Sequence, residues 1–278
     1  MSRRVLVLGF CLLCVLSWGL AAPADEFAAQ GRQVLEKNKG SVITVRLVLK
    51  MSMGGMGMDS DQEQKSEITG TVIDPSGLTV VSLTAIDPGS LFSRLAGMMG
   101  GSDQFSIETE VTKVELLLGD GTELPAQVVL RDKDLDLAFL RPTEPPNSLL
   151  QALDLGNADE AQVLDQVLTV NQLGKVAGRV HAIAVERIEA IVEKPRKLYV
   201  PGKDPTHTSL GSPAFTFDGK VVGLNVVRTI QSSGGGMSLF GGGDENTMAI
   251  ILPAADVSEI AAQAPAVEEV SEEAPAQE

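Results

Sequence analysis

Hydrophobic positions along this chain fall mostly in short runs that are β-branched and partly alternating, punctuated by Gly, Pro, Asp and Ser. That pattern predicts strands rather than helices. The runs are SVITVRLVLK (41–50), ITGTVID (68–74), LTVVSL (78–83), VTKVELLL (111–118), ELPAQVVLRD (123–132), DLAFLRP (136–142), QVLTVNQLG (166–174), GRVHAIAVERIEAIVE (178–193), SPAFTF (212–217), KVVGLNVV (220–227) and TMAIIL (247–252). Asp120-Gly121 and Asp218-Gly219 are turn dipeptides and predict tight hairpins. Helical spacing is confined to 25–40, closed by Gly40 behind two lysines, to a short stretch within 89–104, and to 254–264. Residues 51–65, Gly/Met-rich and then acidic, and 232–246, Gly-rich, read as flexible loops. No internal repeat of fixed period is present. Many short strands with few helices predict an all-β fold, barrel or sandwich.

The first 24 residues change the picture of where the chain works. Arg3 and Arg4 precede an apolar run from Val5 to Leu20, and Ala22-Pro23-Ala24 supplies small side chains ahead of Asp25. This is the layout of a cleaved export signal, with cleavage expected after Ala24. The run is shorter than the roughly 20 residues a bilayer span needs. Cys11 and Cys14, the chain's two cysteines, lie inside it. The exported chain is therefore expected to carry no disulfide, thiolate or Cys-based metal site, and to be periplasmic or secreted. Residues 25–264 are expected to form the folded domain. Residues 265–278, acidic and Pro/Ala-rich, are expected to form a disordered tail. The net charge of −15 repels phosphate backbones, so no nucleic-acid partner is expected.

Three segments carry a family resemblance. ITGTVIDPSGLTVVSLTAID (68–87), DGTELPAQVVLRDKDLDLAFLR (120–141) and SPAFTFDGKVVGLNVV (212–227) resemble the HtrA/DegP-type branch of the trypsin-like serine proteases. Respectively, they are similar to its strand–turn–strand leading into the histidine, its run into the catalytic aspartate, and the hairpin after its serine. LDLGNADEAQVLDQVLTV (153–170) is similar to its linker and next strand, so the likeness spans about 41–262. The resemblance implies two six-stranded β-barrels, short N- and C-terminal helices, and a site between the barrels.

The catalytic chemistry carries over only in part. Acyl transfer on this fold needs a serine nucleophile, an imidazole base and a carboxylate that orients the imidazole. Aligned through Gly77, Thr84 stands where the family has its histidine, and Asp136 stands at the aspartate. Aligned back from Pro213, the family's Gly-Asn-Ser-Gly-Gly-Pro becomes Thr208-Ser209-Leu210-Gly211-Ser212-Pro213. Leu210 thus replaces the nucleophile, and the backbone of Thr208 and Leu210 takes the oxyanion-hole positions. A threonine hydroxyl does not act as a base near neutral pH, and leucine has no lone pair. The predicted triad is degenerate. Asp136 is then expected to be a buried structural carboxylate held by the Thr84 hydroxyl or by backbone N–H donors, with Thr84 the favoured partner, since a buried unpaired charge costs several kcal/mol.

Nearby residues are candidate substitutes for the missing triad members. Ser209, Ser212 and His207 lie beside Leu210, yet adjacent residues on extended chain face opposite ways, so a turn role is expected for the serines. His207 is expected to be an exposed loop residue and His181 a solvent-facing strand residue. Two histidines cannot complete a tetrahedral metal site, and no cofactor is implied. Met51, Met53, Met56 and Met58 form M-x-M-x-x-M-x-M; soft thioethers select Cu(I), and flexible methionines also make adaptable apolar contacts. Three functional readings follow. The favoured one is a protease homologue without catalysis that binds a peptide or protein in the inter-barrel cleft. The others are an active serine endopeptidase using Ser209 or Ser212, and a Met-loop copper binder. Assembly into a homo-oligomer is left open.

Overall fold

A computed structural model of the chain describes residues 23–54, 60–87, 106–202, 209–229 and 247–265. After helix α1 (Pro23–Asn38), strands β1 (Val42–Gly54), β2 (Ser60–Val72), β3 (Thr79–Ser82), β4 (Ser106–Leu117), β5 (Glu123–Asp132) and β6 (Leu137–Pro142) close into a barrel in the order β1-β2-β3-β6-β5-β4. A one-turn helix, α2 (Leu83–Ile86), follows β3. Strands β7 (Gln166–Gln172), β8 (His181–Val192), β9 (Leu198–Pro201), β10 (Pro213–Phe215), β11 (Val221–Thr229) and β12 (Thr247–Pro253) close a second barrel in the order β10-β11-β12-β9-β8-β7. Helix α3 (Ala254–Ala261) ends the fold. All ladders are antiparallel, as the expected double six-stranded all-β architecture requires.

Each barrel fills its interior with inward-facing β-branched and leucine side chains. Val45, Leu47, Val81, Leu116 and Leu140 pack inside the first; Val167, Ile188, Tyr199, Val222 and Ile251 pack inside the second. A third cluster joins them: Val80, Leu137 and Phe139 meet Leu224, Val226, Leu252 and Val257 of α3. Polar ties add to this seam. Thr44 Oγ1 donates to Gln172 Oε1 at 2.7 Å, and Gln172 Nε2 donates to the Arg179 carbonyl at 2.9 Å. Arg179 forks onto Glu67, with Nε 3.1 Å from Oε2 and Nη2 on Oε1.

Several expectations are corrected. Residues 51–65 are not wholly a loop: β1 runs on to Gly54 and β2 starts at Ser60, because β1 is hydrogen-bonded on both flanks, by β2 and by β4. Met51 and Met53 therefore lie on a strand, while Met56 and Met58 lie outside the described residues. Strand β9 was not foreseen; four residues behind Lys194-Pro195-Arg196-Lys197 give no readable period. Helix α1 begins at Pro23, two residues ahead of the expected start, and stops at Asn38, where Asn38 Nδ2 donates to the Val34 carbonyl at 2.9 Å. His181 is not solvent-facing: it is half-buried, its Nε2 2.7 Å from the Val42 carbonyl oxygen, because β8 begins against the first barrel. Residues 1–22, the 89–104 stretch, the 232–246 loop and 266–278 lie outside the described residues.

Candidate functional site

Asp136 is placed by turn chemistry on the stretch that precedes β6. Asp132 Oδ1 accepts the Asp134 and Leu135 N–H groups, each at 2.9 Å, which folds the chain into a tight turn. Asp136 then adopts φ +57°, a left-handed conformation that Asp tolerates better than most residues. A second Asx turn sets the facing strand. Asp74 Oδ1 accepts the Ser76 N–H at 2.8 Å, Gly77 takes φ +99°, and β3 leads straight into α2.

The Asp136 side chain is 6% exposed, and its oxygens meet four donors. Ser82 Oγ lies 2.6 Å and the Val227 N–H 2.9 Å from Oδ2; the Thr84 N–H and Thr84 Oγ1 each lie 2.7 Å from Oδ1. The Thr84 N–H is free because the first amides of a helix have no intrahelical acceptor. The Val227 N–H belongs to β11 of the second barrel, so the carboxylate bridges the two barrels. Burial pushes its pKa above the ordinary carboxylate range, opposed by the Ser82 hydroxyl, the Val227 amide and the two Thr84 donors. The expected Thr84–Asp136 contact is thus present. Ser82 and Val227 were not foreseen, since nothing local in either run marks a donor to a residue so far along the chain.

Residues 209–212 form a turn pressed against this carboxylate site. The Ser212 N–H donates to the Ser209 carbonyl at 3.1 Å, the Gly211 N–H to Asn225 O at 2.8 Å, and Thr71 Oγ1 to Gly211 O at 2.7 Å. Gly211 has φ +83°, and a Cβ there would stand 2.5 Å from the Thr69 carbonyl oxygen and 3.4 Å from the Ser82 amide nitrogen. Only glycine lets the turn sit this close to the end of β3. Leu210, 4% exposed, is a buried hydrocarbon at its centre. Gly211, next to Leu210, thus lies against Val81 and Ser82 at the end of β3, two residues before Thr84.

The substitutes fare differently. Ser209 and Ser212 are both buried, and Ser212 Oγ has no hydrogen-bond partner among the described residues. His181 faces the Val42 carbonyl rather than a hydroxyl. His207 and Thr208 lie outside the described residues, as does any oxyanion-hole geometry that depends on Thr208. Among the described residues, no group of three or more His, Cys, Asp or Glu side chains is arranged to hold a metal ion.

Two closed barrels with an aspartate bridging them at the seam are the frame of one protease fold, and a family model for the trypsin-like peptidase domain matches residues 68–224. The chain belongs to the trypsin-like peptidase family. Its HtrA/DegP-type affinity is carried by two curated relatives, each named "probable periplasmic serine endoprotease DegP-like". The protein from Rickettsia conorii is 26% identical over 174 residues, covering 59% of this chain and 29% of that protein. The one from Halomonas elongata is 33% identical over 129 residues, covering 44% and 25%. The chain thus aligns with less than a third of the length of either relative. No described helix is long and apolar enough to cross a membrane.

Within this trypsin-like frame, a threonine faces the buried Asp136 carboxylate. Thr84 supplies both a backbone and a side-chain donor to the same oxygen. Its hydroxyl therefore stabilises the carboxylate.

Proposed function

We propose that this chain is a trypsin-like protease homologue that does not hydrolyse peptides and acts in the periplasm, or after secretion, by holding an extended peptide or protein segment between its barrels. One observation carries the reading: the Asp136 oxygens are already engaged by Ser82, Thr84 and Val227, leaving the retained aspartate with no imidazole to orient. The buried Leu210 at the aligned nucleophile position supports it, because loss of two triad members removes orders of magnitude in rate. The export signal expected at residues 1–24 and the periplasmic naming of both relatives support the location. A segment bound in extended form would add main-chain hydrogen bonds to a strand edge, with side-chain pockets giving specificity.

A fluorophosphonate probe with an unfolded-casein assay tests this directly. No serine-dependent labelling and no cleavage are expected. Labelling that disappears in Ser209→Ala or Ser212→Ala, or casein cleavage abolished by either change, would establish the endopeptidase instead.

A further inference from the structure

We propose that an apolar groove on the outside of the second barrel, between α1 and the outer face of β7 and β8, docks a segment of another protein that combines acidic residues with bulky apolar ones. One part of the groove encloses about 490 Å³ around Leu168, Ile183 and Val185, and an adjoining part about 470 Å³ around Leu164. Phe27 of α1 and Phe217 line both parts and form an edge-to-face pair with ring centroids 5.3 Å apart. Phe27, Leu164 and Val185 are each at least half exposed. Single apolar residues on a surface mean little, but these adjoin one another along one concave wall. No residue of the lining belongs to the seam cluster of Val80, Leu137 and Leu224, so the groove is separate from the inter-barrel site.

Gly31 keeps the groove open at a cost to the helix. It lies in the interior of α1, where glycine lowers helix stability relative to alanine. Packing does not require it. Among the described residues, the one atom within 4 Å of an added Cβ, outside the helix's own backbone, is Leu168 Cδ2 at 3.8 Å, an ordinary van der Waals distance. Gly31 and Leu168 both line the groove, so a larger side chain at this position would grow into it. A local preference broken with no gain to the fold marks a functional surface.

The groove's charges select the partner. Arg32 on α1 lines one part and Arg187 on β8 the other. Both are exposed, and neither makes an ion pair among the described residues. The single carboxylate in the lining, Asp165, accepts the Gln162 N–H at 2.8 Å. On a chain of net charge −15, two unpaired guanidiniums beside an apolar wall attract carboxylates locally while the rest of the surface repels them. A segment whose acids meet both arginines is therefore held, and one that lies elsewhere is not. A second copy fits poorly, because a two-fold contact of groove on groove sets these arginines against their own counterparts.

Fluorescence anisotropy of the full chain with a fluorescein-labelled nonapeptide of alternating glutamate and leucine tests the docking. Saturable binding is expected, tighter than that of a matching lysine–leucine peptide even though the chain is acidic. Arg32→Glu with Arg187→Glu, both surface changes, should weaken it about tenfold while circular dichroism stays unchanged. Gly31→Leu should raise the melting temperature and still weaken binding, because the added side chain fills the groove. No saturable binding, or a preference for the lysine peptide, overturns the proposal. Affinity indifferent to the arginine changes or to Gly31→Leu overturns it too, by placing the peptide elsewhere, as in the inter-barrel cleft. A dimer in sedimentation that the arginine changes dissociate also overturns it, by assigning the groove to a second copy.

Discussion

Asp136 ties β3, α2 and β11 to one point, because its carboxylate accepts hydroxyls from Ser82 and Thr84 and amides from Thr84 and Val227. Asp136→Ala would strand those donors where water cannot replace the acceptor. A cost of about 3–5 kcal/mol is expected from breaking such a buried network, read as a lower urea midpoint with an unchanged m-value. A loss under about 1 kcal/mol would mean that water enters and that the bridge between barrels is weak. The Thr84 contact was legible in the sequence, since a retained aspartate beside a lost histidine needs a new donor. Ser82 was not, although it lies only two residues from Thr84. Its aim depends on how β3 pairs with β6, Ser82 opposite Leu137, a register that no local pattern specifies.

At the scale of elements, most strands were legible because burial on one face imposes the period of two that alternating runs display. Strand β5 came out with its bounds as expected, Glu123–Asp132. The failures share a cause. Strand β9 is four residues long and exists because β8 and β12 flank it; the Met51–Gly54 end of β1 is extended because β2 and β4 bond it on either side. Ladder partners, not side-chain preference, decide both. Helix α1 is held in a similar way, by its buried Val34 and by Gly31, where an added Cβ would stand 3.8 Å from Leu168 Cδ2 of β7. Leu168→Ala should therefore cost about 2–5 kcal/mol and raise amide exchange across 26–38 by more than across β11. Uniform exchange changes would show that α1 is not separately anchored by this contact.

For the molecule as a whole, the relation between the two barrels is set by a shared apolar seam and by polar ties across it. Glu67 belongs to the first barrel and Arg179 to the β7–β8 turn of the second. The Arg179 hydrogen bond, reinforced by the charge of Arg46, holds the Glu67 carboxyl below the ordinary carboxylate range. A carboxylate with a depressed folded-state pKa stabilises the fold fully above its unfolded value, and the contribution fades as pH falls through the folded value. Glu67→Gln should therefore flatten the decline of the melting temperature between about pH 7 and about pH 3. Parallel profiles for the two proteins would show that the fork leaves barrel docking unaffected.

The amino-acid sequence alone determined the all-β fold class, the turns at Asp120-Gly121 and Asp218-Gly219, and which residues, Thr84 and Leu210, stand at two positions aligned with the family's triad. These are properties of short windows: a strand's period, an Asx turn and a residue's own functional group are all written within a few positions. Only the tertiary structure decided that His181 turns to the Val42 carbonyl, that the Val227 amide reaches Asp136, and that Gly211 must carry no Cβ because the Thr69 carbonyl lies against it. Each is a contact between residues far apart along the chain, fixed when two closed barrels meet, and no stretch of sequence short enough to read by pattern contains both partners.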